Sequence, residues 1–346
     1  YQKYLINKLS KFLIIGSNSF SGSHFVHQTL KCGFEVLGVS RSKEPMDIFL
    51  PYKWESNTLS EKIYESKQFK FKSIDLNKNM EEFKKIIDNF KPEIIVNFAS
   101  QGMVAESWLN PTHWYQTNLM SQVTLHDFLR KKTFLKKYVH ITTPEVYGST
   151  DGGWIKENFS FAPSTPYAVS RAGCDLHLMS FYKAYDFPVV FTRAANVYGP
   201  GQQLYRIIPR AFLSAKTNKR MELHGGGKSC RAFIHIKDVV DATLKIALDA
   251  EPGTSWHISS NESISIYDLV SKIFSMTNSN FENLVVNVDE RLGKDQSYLL
   301  NSDKLRKVHS WSDKINLELG LEDTLSWIEK NLSILKDLSW DYQHKS

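Results

Sequence analysis

Phe12-Leu13-Ile14-Ile15-Gly16-Ser17-Asn18-Ser19-Phe20-Ser21-Gly22 passes from four apolar residues into a turn of small ones, and a helical pattern continues from it through Leu30. Strand, tight turn and helix in this order bring backbone N–H groups and a helix N-terminus up to a pyrophosphate. Glu35-Val36-Leu37-Gly38-Val39 follows at the spacing of a βαβ unit and ends in Ser40-Arg41-Ser42. Further strand-like runs at 70–74, 94–98, 137–142 and 188–193 alternate with helical patterns at 22–32, 80–89, 112–130 and 167–185. The alternation predicts an α/β fold, a doubly wound parallel sheet with helices on both faces. Ligands of such sheets bind beyond the carboxyl ends of the strands, which is where the Gly16 turn, Thr143, Glu145 and Asn196 fall.

Two stretches carry acid/base chemistry: Thr142-Thr143-Pro144-Glu145-Val146-Tyr147-Gly148 and Ser164-Thr165-Pro166-Tyr167-Ala168-Val169-Ser170-Arg171. A phenol has an ordinary pKa of about 10 and is a poor base at neutral pH. A fixed cation one helical turn away stabilises the phenolate, and Tyr167 and Arg171 have that i, i+4 spacing. Pro163 and Pro166, ahead of an Ala/Ser/Leu/Met-rich run to Tyr185, predict the helix that puts the pair on one face. Taken singly, Tyr167 is one of 15 tyrosines and Glu145 a loop carboxylate. The phosphate-type turn upstream gives the set its meaning.

More segments belong to the same pattern: Asp75-Leu76 after the third strand, Asn97-Phe98-Ala99-Ser100-Gln101 after the fourth, Thr117-Asn118, and Thr192-Arg193-Ala194-Ala195-Asn196-Val197-Tyr198-Gly199-Pro200. Arg231 to Val239, Arg291 to Asp295 and Asn301 to Leu305 complete it. In this order they resemble the extended short-chain dehydrogenase/reductase superfamily, and within it the nucleotide-sugar 4,6-dehydratases and epimerases. The resemblance implies a Rossmann-type dinucleotide-binding domain at 1–199, with a return segment near 233–258. It also implies a smaller, discontinuous C-terminal substrate-binding lobe at 200–232 and 259–346.

By resemblance, Gly16, Asn18, Ser19, Phe20, Ser21 and Gly22 cradle the cofactor pyrophosphate, Asp75 and Leu76 lie at the adenine, and Phe98, Ala99, Ser100 and Gln101 line the groove. Asp75 could equally cap the next helix. At the end of the second strand an acidic residue would hold the ribose hydroxyls of NAD. Ser40 and Arg41 stand there and suit a 2′-phosphate, so NADP is expected over NAD, tightly bound and recycled. The resemblance makes Tyr167 the base at the sugar 4-hydroxyl, Thr143 its partner, Arg171 the cation of the pair and Glu145 the base that removes the C5 hydrogen. Asn196, Arg231 and Arg291 would hold the nucleotide diphosphate, with Arg206 and Lys294 as further contacts.

The first reading is 4,6-dehydration of a nucleotide-diphosphate sugar, because Glu145 matches the dehydratase base. Three departures stand beside it. Pro144 takes the place of a residue that is often a proton donor, Arg171 replaces the usual lysine, and Ser19 replaces the middle glycine. Pro144 favours a C4-epimerase or a uronate decarboxylase as the alternative. Arg171 and Ser19 motivate a non-catalytic NADP-binding regulator.

A chain of 346 residues with 42% hydrophobic content can bury a core larger than one domain needs. Cys32, Cys174 and Cys230 are widely spaced and odd in number, which speaks for a reducing compartment and against a disulfide framework or zinc site. No apolar stretch reaches membrane-spanning length and no signal-peptide pattern opens the chain, so a cytoplasmic protein is expected. The net charge of +6 comes from scattered lysines, which suits a polyanionic small substrate better than nucleic acid. Apolar stripes on 112–130 and 167–185 are broader than one sheet face requires. In similar proteins these helices build a four-helix bundle, so a homodimer is expected. The histidines show no metal-ligand spacing.

Overall fold

The protein is described by a computed structural model over residues 10–54, 68–149, 152–290 and 297–345. Seven strands form one sheet: β1 (Lys11–Ile15), β2 (Glu35–Ser40), β3 (Phe69–Ser73), β4 (Ile94–Asn97), β5 (Lys137–Ile141), β6 (Val189–Ala194) and β7 (Ser255–Ile258). Their order is β7-β6-β5-β4-β1-β2-β3, and every pairing is parallel. The chain winds outward in both directions from β1, which leaves a crevice between β1 and β4 where strand order reverses.

Alternation along the strands divides the core. Phe12, Ile14, Val36, Val96, Val139 and Val190 face helix α1 (Phe20–Lys31) and the later helix Ile236–Asp249. Leu13, Ile15, Leu37, Ile95, Tyr138 and Phe191 face the other layer, built from α2 (Met80–Phe90), α3 (Pro111–Tyr115), α4 (Ser121–Leu129) and α5 (Pro166–Tyr185). Strands buried on both faces read as continuous apolar runs, which is why they stood out in the sequence.

The helix expected over 112–130 is two helices, α3 and α4, joined by a π-helical turn at Gln116–Met120. Periodicity could not reveal this, because the wider turn is stabilised by side chains. Asn118 within it is fully buried. Its amide accepts the Gln101 backbone N–H at 2.8 Å and donates to the Gln101 carbonyl at 3.1 Å and to Ser170 Oγ at 3.0 Å. One extra residue per turn aims Asn118 at the strand end beside the crevice, a common use of such turns.

Beyond residue 200 lie helices α6 (Ile207–Thr217), α8 (Ile266–Met276) and α9 (Leu317–Leu335). Between them, α7 (Ile236–Asp249) packs on the sheet beside α1, and β7 extends the sheet past β6. A separate core of Ile208, Phe212, Leu223, Leu269, Phe274, Leu321 and Ile328 holds α6, α8 and α9 together.

Candidate functional site

The turn after β1 is closed by its own small residues. Gly16 and Ser17 N–H both donate to the Val39 carbonyl, at 2.7 and 3.1 Å, so the turn is tied to β2. Gly16 has φ +81°, and a Cβ there would lie 2.8 Å from the Ala99 nitrogen. A Cβ at Gly22 would collide with the Gly16 carbonyl oxygen. Ser19, which stands where a glycine was expected, caps α1: its hydroxyl accepts the Gly22 N–H at 3.1 Å and donates to the Gly16 carbonyl at 2.7 Å. Its side chain is thus folded into the turn. Phe20 is buried beneath it, and Ser21 lies half-buried at its edge.

Ser40 and Arg41, at the end of β2, are both engaged within the chain. The Ser40 hydroxyl accepts the Asn18 N–H at 2.9 Å, and Asn18 Nδ2 donates to the Ser42 carbonyl at 3.0 Å. Arg41 donates to the Lys345 carbonyl at 3.0 Å. Asp75 accepts the Asn77 N–H at 2.9 Å and so caps its own turn, while Leu76 belongs to the core. Phe98 extends β4 alongside β1 through its N–H to the Ile15 carbonyl at 2.8 Å, Ala99 abuts Gly16, and Ser100 is exposed. Gln101 is buried, with its side chain donating to the Lys345 carbonyl at 2.7 Å.

Beyond β5, Thr143 caps a single 3-10 turn, Pro144–Tyr147, with its hydroxyl accepting the Glu145 N–H at 3.3 Å. Thr165 caps α5, accepting the Ala168 N–H at 3.1 Å, and Pro166 opens the helix. These two caps bring Thr143, Glu145 and Tyr167 together. The Thr143 side chain is hydrogen-bonded to the Tyr167 phenol, and the Glu145 charge acts on it directly.

The electrostatics of Tyr167 correct the sequence expectation. Burial and the neighbouring Glu145 carboxylate push the phenol above its ordinary value, outweighing Arg171, the Thr143 hydrogen bond and Arg206, which all pull it down. Arg171 is buried and donates to the Ile141 carbonyl at the end of β5, and its Nε has no hydrogen-bond partner among the described residues. The cation lowers the phenol's pKa as the spacing implied, but desolvation is the larger effect.

Behind these residues lies a buried ion cluster that the sequence reading missed. Asp175, two turns along α5 from Tyr167, accepts from Arg193 at 2.7 Å and from the Thr142 hydroxyl at 3.0 Å, and His140 lies 3.3 Å away. Arg193 also donates to Ser255 and lies over the rings of Phe161, Tyr147 and Phe159. Burial alone would raise the Asp175 pKa, yet the Arg193 guanidinium and His140 hold it below the usual carboxylate range. A signal was present. Arg193 is a charge inside an otherwise apolar strand, and a charge buried on both faces requires a counter-charge nearby.

On the opposite wall, Asn196 donates to the Ala232 carbonyl at 3.4 Å and accepts from the Tyr298 hydroxyl at 3.4 Å. The buried Arg231 guanidinium sits 4.4 Å from the Tyr298 ring. Arg206 is exposed at the start of α6, and its charge reaches Tyr167. Arg291 and Lys294 lie outside the described residues. His235 caps α7 and pairs with Asp323 at 3.4 Å, and no cluster of potential metal ligands occurs among the described residues. Cys32, Cys174 and Cys230 are free thiols. No helix among the described residues is long and apolar enough to cross a membrane.

The arrangement is thus a phosphate-type turn, a phenol with a hydroxyl partner and a carboxylate, all at the carboxyl ends of parallel strands. Among known families, the one described as GDP-mannose 4,6 dehydratase matches residues 13–324. The chain is 30% identical to dTDP-D-glucose 4,6-dehydratase of Mus musculus over 246 residues, 70% of this chain and 69% of the relative. It is 29% identical over 250 residues to the trifunctional UDP-glucose 4,6-dehydratase/UDP-4-keto-6-deoxy-D-glucose 3,5-epimerase/UDP-4-keto-L-rhamnose-reductase of Arabidopsis thaliana. That match covers 71% of this chain but spans only 37% of the plant protein. The crystal structure of dTDP-glucose 4,6-dehydratase from Bacillus anthracis in complex with NAD superposes with a TM-score of 0.82 at 26% identity, covering 94% of this chain and 98% of that one.

Proposed function

The chain belongs to the GDP-mannose 4,6 dehydratase family, and from that premise we propose that it is a nucleotide-sugar 4,6-dehydratase working with a nicotinamide dinucleotide. The observation that carries the reading is the Glu145 carboxylate set close enough to the Tyr167 phenol to raise its pKa. C4 epimerisation needs the phenol alone, whereas elimination across C5 and C6 needs a second base on the same sugar.

The turn fits the cofactor. Gly16 and Gly22 leave no space for a Cβ, and the Ser19 side chain is held within the turn by the Gly16 carbonyl and the Gly22 N–H. The buried Arg171 Nε, which has no hydrogen-bond partner among the described residues, adds a donor near Tyr167. We take the cofactor as NAD in place of the NADP expected from the sequence, because the Ser40 hydroxyl is engaged by the Asn18 N–H and the similar dehydratase of Bacillus anthracis is in complex with NAD. When bound, the oxidised nicotinamide supplies a hydride acceptor at C4, a positive charge beside the phenol, and the hydride that returns to C6.

The chain's own residues move the protons. Tyr167 takes the proton of the sugar 4-hydroxyl, with Thr143 holding the same oxygen. The resulting 4-ketone acidifies C5, and Glu145 removes that hydrogen as a proton. Hydroxide leaves C6 and takes up a proton. Pro144 has none to give, so Glu145 returns its own or water serves. A last proton goes back to C5, so two protons leave the sugar, two are taken up, and the product is the substrate less one water. Asn196, Arg206, Arg231 and Arg291 are the residues for the diphosphate of the substrate.

Exposed Met120, Val169, Leu176 and Tyr185 on the α3–α4 stretch and α5 support a homodimer through these helices, which light scattering of the purified chain would test. Incubation with a panel of nucleoside-diphosphate hexoses tests the activity. Dehydration removes the mass of one water from the product. An isomer of unchanged mass would establish epimerisation, the reading that Pro144 favours, and no conversion of any sugar would refute both.

A further inference from the structure

After α9 the chain does not stop on its own lobe. Trp340 is held by its indole N–H on the Leu335 carbonyl at 3.0 Å, and Arg210 of α6 donates to the Trp340 carbonyl and to Asp341, each at 3.0 Å. From there the segment crosses toward the sheet. Tyr342 packs edge-on against Tyr205, with ring centres 5.4 Å apart. His344 stacks on His113 and Trp114 of α3, at 5.1 and 5.0 Å, with its Nε2 2.8 Å from His113 Nδ1. The Lys345 carbonyl then accepts from Gln101 at 2.7 Å and from Arg41 at 3.0 Å.

Burial alternates along this stretch. Tyr342 and His344 are half-buried, while Asp341, Gln343 and Lys345 are exposed. Such a period of two is that of an extended segment lying against a surface with one face down. Its two end contacts, on the residues that follow β2 and β4, span the crevice where strand order reverses.

We propose that residues 340–345 form a strap lying over the dinucleotide groove, one that the dinucleotide must displace in order to bind. The proposal rests on the assignment of Arg41 and Gln101 to that groove. One backbone carbonyl occupies both donors, so strap and cofactor compete for the same groups. The contacts are few and mostly at the surface, which makes closure reversible. A strap closed about ten times as often as it is open lowers the apparent affinity about tenfold.

The test uses protein stripped of nucleotide, with NAD as the titrant in calorimetry. Three forms are compared: the full chain, the same chain ended at Ser339, and full-length chain carrying Tyr342→Ala and His344→Ala, which keeps every backbone group. Both variants should bind NAD about tenfold more tightly, and hydrogen exchange at 340–345 of the full chain should rise when NAD is added. NAD binding of equal or lower affinity in both variants would overturn the strap and leave the cofactor assignment standing. Failure of all three forms to bind NAD would overturn both.

Discussion

Tyr167 shows how burial decides the behaviour of a candidate catalytic group. Its spacing from Arg171 implied an acidified phenol, yet desolvation and Glu145 hold the proton on at neutral pH. The phenol therefore becomes an effective base only when further positive charge enters the cleft, which couples deprotonation to a loaded site. Tyr167→Phe should lower C4 oxidation by roughly 100-fold or more, because it removes the proton acceptor, while NAD affinity measured by calorimetry stays close to that of the parent. A large loss of NAD affinity in this variant would mean that the hydroxyl serves the cofactor and not the sugar. The proximity of Thr143, Glu145 and Tyr167 could be read from the sequence because each lies within a short motif. The sign of the phenol's shift could not, since it depends on burial by segments far apart in the chain. The contacts of Ser40 and Arg41 were hidden for the same reason: Arg41 meets a carbonyl 304 positions away.

At the scale of elements, α5 carries three residues on successive turns with three different duties. Tyr167 faces the cleft, Arg171 holds the end of β5, and Asp175 ties Thr142 to Arg193 of β6. Thr142 directly precedes Thr143, so the buried ion cluster sets where the loop carrying Thr143 and Glu145 leaves the sheet. Asp175→Asn leaves Arg193 buried without its full counter-charge and should cost about 3–5 kcal/mol in denaturant unfolding. Turnover should fall with KM for the nucleotide sugar nearly unchanged, since Asp175 touches no substrate. A variant as stable as the parent would show that the cluster is not what anchors the loop. The central strands and the helices packed on them were legible because their buried faces are largely apolar. The π turn at Gln116–Met120 was not, because nothing in the 3.6-residue period marks a turn widened by an asparagine that reaches a neighbouring strand end.

For the whole molecule, the cores on the two faces of the sheet and the one beneath α6, α8 and α9 make up the interior, and several of the chain's histidines are buried. Burial drives His24 and His257 down to about 3, and His126 and His140 also fall below their ordinary value. A histidine kept neutral when folded takes up a proton on unfolding. Its contribution to stability is therefore complete above pH ~6.5 and is lost as pH falls toward the folded value. Each of His24 and His257 should steepen the loss by about 1.4 kcal/mol per pH unit between roughly pH 6 and pH 4. Denaturant midpoints across that range check this, and a flat profile would contradict the burial of these rings as neutral groups. The alternation of strands and helices that builds the sheet was visible in the order of motifs, but the crossing of residues 340–345 to the sheet was not. A short polar and aromatic segment carries no periodicity long enough to show where it docks.

The central claim is that Glu145 and Tyr167 act as two separate bases on one sugar. Its most direct test is single-turnover analysis of Glu145→Gln with NAD and a nucleoside-diphosphate hexose that the parent enzyme converts, following NADH absorbance and product mass together. The account predicts that NADH forms and persists while no product lighter by one water appears, because oxidation at C4 proceeds and the C5 proton stays in place. Release of dehydrated product at the parent rate would contradict it.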